Sequence, residues 1–194
     1  MRVGIFGGSF NPVHNGHLRL AFCAMSELNL RKVIFVPSHI TPLKNGEELL
    51  PWRLRVLLLR SVLKGRPGFE LSLCEIRRKG LSYTVDTLKF FKKKLGRDAV
   101  LFFLAGADTA ATLKRWKSWD EVTRLCRFVM MARPGFPRRR LPKGVYTMPL
   151  DALPVSSTEV RRRLDQGKTI RGLVPPEVGR ILAAYRKKER KKLS

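Results

Sequence analysis

Acidic side chains are scarce in this chain of 194 residues: 15 Asp and Glu stand against 40 Lys and Arg, for a formal charge of +25. A surplus of one sign does not assemble surface ion-pair networks. It sets up a positive field that attracts phosphates of any kind and names no particular ligand. Cysteine is sparse too. Cys23, Cys74 and Cys126 are odd in number and far apart, which excludes a disulfide framework or paired zinc spacing and leaves reduced, partly buried thiols. No apolar run approaches the length that spans a bilayer, and the N-terminus lacks a cleavable signal pattern. A cytoplasmic chain with no membrane partner is expected.

What is present is ordinary globular material, 44% hydrophobic, enough for one well-packed domain. Residues 1–186 are expected to form it, with 187–194 as a basic C-terminal tail. The runs Arg138-Arg139-Arg140, in a Pro-rich loop, and 186–192 fit a solvated loop and a frayed tail. Aromatics do not interleave with this charge, so no specific nucleic-acid partner is expected. The sequence allows a homo-oligomer without arguing for one.

Short apolar runs alternate with segments of helical spacing. Residues 3–6, 32–36, 69–76, 99–104, 128–131 and 145–148 read as strands. Between them lie helical patterns over 18–30, over 52–63 after Pro51, from a cap at Thr84 to a stop at Gly96, over 108–113 and over 120–125. Two more helices, started by Ser156-Ser157-Thr158-Glu159 and by Pro175-Pro176, close the chain. The alternation predicts an α/β, Rossmann-like open and mostly parallel sheet with helices on both faces and a small helical C-terminal part. In such sheets ligands sit at the C-terminal strand ends, near the switch in strand order, so the loops after the first and fourth strands are the expected site.

The first of those loops reads Gly7-Gly8-Ser9-Phe10-Asn11-Pro12-Val13-His14-Asn15-Gly16-His17. Its glycines let backbone N–H groups approach phosphate oxygens. Two of the chain's three histidines stand at the mouth of a helix whose dipole already favours anions. Farther on, Ser156 can cap a helix while Glu159 returns the bond in a capping box, leaving neighbouring N–H groups for an anion, with Arg161 facing the same pocket; a purely structural helix start accounts for the serines equally well. Ser82-Tyr83-Thr84 precedes a helix whose N–H groups can receive a carboxylate, and a plain N-cap at Thr84 is compatible with that. Trp116 reads as an exposed indole able to stack on a flat ring, and Trp119 as packing. Asp108, beyond Gly106 at the end of the fourth strand, also suits an ordinary cap. Lys44 can neutralise a phosphate, and Arg133 is a second such cation.

His-x-Gly-His after a Gly-Gly-(Ser/Thr)-Phe-(Asp/Asn)-Pro loop resembles the adenylyltransferases of the nucleotidyltransferase superfamily. Within them the chain is similar to the bacterial nicotinate mononucleotide adenylyltransferase family, from the first strand through Val155-Ser156-Ser157-Thr158-Glu159-Val160-Arg161. The resemblance implies adenylyl transfer from ATP to nicotinate mononucleotide, giving nicotinate adenine dinucleotide and pyrophosphate, with Mg²⁺ held mainly by the ATP phosphates and no metal ligands from the protein. It implies catalytic roles for His14 and His17, and a nucleotide cradle of Gly7, Gly8, Ser9, Phe10, Gly106, Asp108, Ser156, Ser157, Thr158 and Arg161. Acceptor binding falls to Lys44, Ser82, Tyr83, Thr84, Trp116 and Arg133, with the nicotinate carboxyl at Ser82-Tyr83-Thr84 and the pyridine ring on Trp116. The segment 36–44 departs from the family's Pro-Pro-His-Lys ending; Lys44 is retained, and Leu43 and His39 lose their grounds for a role. Relatives acting on nicotinamide mononucleotide, phosphopantetheine or a polyol phosphate share the catalytic loop, so the acceptor rests on residues far from it.

Overall fold

Apolar residues on both faces of nearly every strand require a layer of helices on each side of the sheet. A computed structural model of the chain describes residues 1–42, 49–132, 141–150 and 153–193, with the side chains of Asp108 and of 190–193 outside that set. In chain order the elements are β1 (Arg2–Gly8), α1 (Asn15–Glu27), β2 (Lys32–Pro37), α2 (Trp52–Leu63), β3 (Phe69–Leu71), α3 (Cys74–Arg78) and α4 (Thr84–Leu95). Then follow β4 (Val100–Gly106), a 3₁₀ helix (Ala107–Arg115), α5 (Trp119–Leu125), β5 (Arg127–Ala132), β6 (Val145–Pro149), α6 (Ser157–Asp165) and α7 (Pro176–Leu193).

The strands form one six-stranded sheet in the order β3-β2-β1-β4-β5-β6, parallel at every pairing. Side chains alternate between its faces. Val33 and Phe35 of β2 with Phe102 and Leu104 of β4 meet α1, α2, α6 and α7, through residues such as Ala24, Leu58, Val160 and Leu182. Ile34, Val36, Leu101 and Phe103 meet α3, α4, the 3₁₀ helix and α5, through Cys74, Leu88, Leu113 and Val122. The order reverses between β1 and β4, which places the crevice for a ligand between the loops that leave those two strands. No helix among the described residues is long and apolar enough to cross a membrane.

Several elements differ from the pattern predicted above. The third strand stops at Leu71, and Cys74–Arg78 is a helix. Pairing with β2 runs from Val33 N–H on Gly68 O to Ser72 N–H on Phe35 O; the next donor on that edge belongs to Pro37, which has no N–H, so the ladder ends. Helix α1 begins at Asn15, three residues before its apolar periodicity, and makes His14 its N-cap residue. Thr84 is the first residue inside α4, and the N-cap position falls to Tyr83 without a side-chain cap bond. Gly96 ends α4 with φ of 85°, a conformation that only glycine adopts without strain. The basic run 186–192 continues α7 instead of fraying, and Arg186 reaches Asp165 of α6 at 3.3 Å.

Candidate active site

Gly7 and Gly8 end β1, and Gly106 ends the neighbouring β4. A Cβ on Gly7 would stand 3.0 Å from the Phe103 ring, so the strand end lies hard against its neighbour. The loop beyond is held from three sides. Ser9 O accepts from Arg55 at 2.7 Å, and the Asn11 side chain accepts from Leu50 N–H at 2.8 Å. From the opposite side Arg161 donates to Asn11 O at 2.8 Å and Ser157 donates to Pro12 O at 3.0 Å. At its end Asn15 bonds the backbone carbonyls of Leu173 and Gly172.

This bracing delivers two imidazoles to the first turn of α1. The His14 and His17 rings lie 3.7 Å apart, centroid to centroid, at 34°. Gly16 makes room for them: a Cβ there would sit 3.1 Å from the His14 ring and 3.1 Å from Val155. His14 is 7% exposed, and burial pushes its pKa down to about 4, so it is neutral at pH 7. Its Nδ1 is buried and finds no well-aligned hydrogen-bond partner among the described residues. His17 Nδ1 accepts the His14 N–H at 3.2 Å, which places the proton of a neutral His17 on Nε2 as a donor. Phe10, 1% exposed and with φ of 45°, packs beneath it with centroids 5.0 Å apart. The expected nucleotide contact of Phe10 is therefore limited to its backbone, because its ring is core.

The helix start at Ser156 meets this loop from the α6 side. Ser156 accepts from Glu159 N–H at 3.1 Å, as predicted. The return bond of the capping box is replaced: Glu159 binds Arg162 at 2.8 Å and Arg163 at 2.7 Å. Those two guanidinium groups hold its carboxyl down at about 2, because charge-assisted bonds outcompete a bond to a neutral N–H. Thr158 Oγ1 accepts from Arg161 at 3.5 Å. Residues 156–161 and 7–17 thus touch directly, at a helix N-terminus suited to phosphate.

The segments expected to bind the acceptor are held separately. Ser82 N–H is spent on Ile40 O at 2.9 Å, and the Ser82 hydroxyl accepts His39 N–H at 3.0 Å, so Tyr83 and Thr84 are left to offer N–H groups at the α4 start. Trp116 is half-buried, not exposed: it meets Phe103 and Phe128 edge-on at 5.7 and 5.5 Å and donates to Thr112 at 3.3 Å. Trp119 packs on Phe128, as expected. Lys117 places its Nζ 4.5 Å from the centre of the Tyr83 ring, which joins the two acceptor segments. Lys44 and Arg133 lie outside the described residues, as does the Asp108 side chain. Among the described residues no group of three or more His, Cys, Asp or Glu is placed to hold a metal ion.

Residues 5–163 match the cytidylyltransferase-like family. A probable nicotinate-nucleotide adenylyltransferase of a Thermoanaerobacter species is 37% identical over 95% of this chain and 93% of its own. The chain belongs to the cytidylyltransferase-like family and, within it, to the nicotinate-nucleotide adenylyltransferases. A second such relative, from Moorella thermoacetica, is 38% identical over 91% of this chain and 87% of its own. The nicotinic acid mononucleotide adenylyltransferase of Plasmodium falciparum, solved in complex with NaAD, shares the fold with a TM-score of 0.77 at 20% identity, over 95% of both chains.

Three buried polar residues around the candidate site gained no role of their own from the sequence. Asn11 and Arg55 brace the phosphate loop. Glu75 lies beneath the acceptor loop; burial pushes its carboxyl up, against hydrogen bonds from Thr87 and Ser82. Arg55 left a signal: it shares helical spacing with Leu58, Leu59 and Val62, so a guanidinium stands on the apolar stripe of α2. Glu75 left none, because the strand reading put it on the wrong kind of element.

Proposed function

We propose that the chain transfers the adenylyl group of ATP to the 5′-phosphate of nicotinate mononucleotide, releasing pyrophosphate and giving nicotinate adenine dinucleotide. The observation that carries this is the contact between two helix starts suited to phosphate, the one at His14-Asn15-Gly16-His17 and the one at 156–161, joined where Ser157 and Arg161 bond the loop carbonyls of Pro12 and Asn11. An oxygen of the acceptor phosphate attacks the α-phosphorus, and the bond from that phosphorus to the β-phosphate oxygen breaks. The nucleophile is already ionised, so no side chain has to abstract a proton. Catalysis is then a matter of alignment and of neutralising charge on the transferring group.

Each helix start has its own share. His17 presents Nε2–H to the transferring phosphate, and neutral His14 holds that ring by stacking. Gly7, Gly8 and the backbone of Ser9 and Phe10 line the approach, Gly106 and Asp108 are assigned to the nucleoside, and 156–158 with Arg161 receive the departing pyrophosphate. Lys44 and Arg133 supply further positive charge, Tyr83 and Thr84 bind the nicotinate carboxylate, and Trp116 packs on the pyridine. Mg²⁺ held mainly by the ATP phosphates would supply charge neutralisation there. The setting is the cytoplasm, where ATP is at hand; homo-oligomerisation is compatible with the reaction and not required by it.

The test is pyrophosphate release from ATP and Mg²⁺ with nicotinate mononucleotide, nicotinamide mononucleotide and phosphopantetheine as alternative acceptors. Turnover confined to, or fastest with, the nicotinate compound is expected. Faster turnover with phosphopantetheine would sink the acceptor assignment.

A further inference from the structure

A guanidinium lies beneath the phosphate loop, and the reaction as described gives it no task. Arg55 is 1% exposed and bonds backbone carbonyls alone among the described residues. Its Nε donates to Leu50 O at 3.0 Å and one terminal nitrogen to Ser9 O at 2.7 Å. The other donates to Ser38 O at 2.9 Å and, more weakly, to His39 O at 3.5 Å. These acceptors belong to three segments far apart in sequence: the loop after β1, the loop after β2, and the turn before α2.

Pinning a carbonyl fixes more than its oxygen. The peptide unit is planar and trans, so turning Ser9 C=O toward Arg55 turns the Phe10 N–H to the opposite side. Holding Ser38 and His39 from the same fork sets the β2 exit against the β1 exit. That exit leads on to the acceptor loop, since His39 N–H bonds Ser82. Leu50, whose carbonyl accepts from Arg55, itself donates its N–H to Asn11 of the phosphate loop. A Lys ammonium is a single point with three donors and cannot reproduce a planar fork aimed at separated carbonyls.

We propose that Arg55 is a positioning residue for nucleotidyl transfer, its one guanidinium fixing the phosphate loop and the acceptor-side loop in register. It touches neither substrate. The inference rests on the adenylyltransferase reading, and its test is chosen so that the two can fail separately.

Arg55→Lys is compared with wild type and with Arg60→Lys, an exposed change on the same helix that leaves both activity and melting unaltered. ATP binding is followed by calorimetry, melting by circular dichroism, and kcat and KM are taken well below the melting point. The expected result is a folded Arg55→Lys protein whose kcat falls about 10- to 100-fold, the loss that small misplacements of reacting groups produce, with weakened ATP binding. A lower melting point with unchanged kcat, KM and ATP affinity would show a merely structural role and overturn the proposal. If Arg55→Lys does not fold, Arg55→Ala prepared with methylguanidinium replaces it. Activity that comes and goes with the additive supports positioning, whereas activity indifferent to it, or failure to fold in either condition, overturns it. Should wild-type protein ignore nicotinate mononucleotide, the acceptor assignment fails alone, because ATP affinity still reports on Arg55.

Discussion

The phosphate loop and the acceptor corner are built to different tolerances. Residues 9–15 are gripped by side chains or backbone from α2, α6 and the 172–173 turn. The region proposed for the acceptor has the Ser82 bonds to Ile40 and His39, the bond from Thr87 to Glu75, the Lys117–Tyr83 contact and the packing of Trp116, none of them reaching the 9–15 loop. Over-determined geometry suits the reacting centre, where fractions of an ångström matter. Partly exposed contacts suit the end proposed to tell one acceptor from another. Damage to the first region should therefore depress turnover with every acceptor, and damage to the second should depend on which acceptor is offered.

His17→Ala should break the comparison most sharply. Removing one preorganised donor to a transition-state charge costs about 3 kcal/mol or more, a fall of 10²- to 10³-fold in kcat. The loss should be equal for nicotinate and nicotinamide mononucleotide, since Nε2–H addresses the shared phosphate. Steady-state kinetics with both acceptors decides it; a loss seen with only one would move His17 into the specificity machinery.

Nearly as large is the effect of pH on the bracing itself. Burial holds His14 at about 4, against 6.5 for a free imidazole. Between those values the unfolded chain binds a proton that the folded chain refuses, so stability rises with pH across the window. It is complete above about pH 6.5 and is lost as the pH falls toward 4, by about 3 kcal/mol for this group. Urea unfolding at several pH values, compared with His14→Asn, isolates the term. Parallel curves for the two proteins would mean that the ring is not kept neutral by burial.

How much of this was legible in the sequence follows the same division. The loop 7–17 announced itself because its residues are contiguous and chemically unusual, and the helix start at 156–161 because a capping pattern is local. Strand alternation also sufficed for the sheet and its switch point. What stayed hidden depends on distant partners. That the strand at 69 stops at Leu71 follows from Pro37 on the adjacent strand, and Glu159 abandons its capping bond for two neighbouring arginines. Trp116 turns inward because Phe103 and Phe128, on separate strands, offer it ring edges. Arg55 was visible only as a polar interruption of an apolar stripe, and its bonds to Ser9, Ser38 and His39 appear only once three loops are brought together.

Trp116→Phe sharpens the acceptor side. A smaller ring keeps part of the packing on Phe103 and Phe128 and forfeits indole contact area, and aromatic contacts of this kind contribute about 1 kcal/mol. The KM for nicotinate mononucleotide should rise about fivefold, with the KM for ATP unmoved. An equal rise in both would place Trp116 in the shared scaffold.

The smallest effect expected is also the most specific. Lys117 Nζ lies over the Tyr83 ring, beside the start of α4, where N–H groups already favour negative charge. A cation there would favour a nicotinate carboxylate over the uncharged amide, which differ in charge and hardly in shape. Since Lys117 is exposed, solvent and salt screen the attraction to about 0.5 kcal/mol. Lys117→Met should then lower the ratio of kcat/KM for the acid over the amide by about two- to threefold at low ionic strength. At high salt the wild-type ratio should fall toward that of the variant, because screening and substitution remove the same interaction. A ratio that the substitution leaves unchanged at either ionic strength would return all acid recognition to the backbone of Tyr83 and Thr84, and would make the acceptor corner a helix-dipole site with no side-chain charge in it.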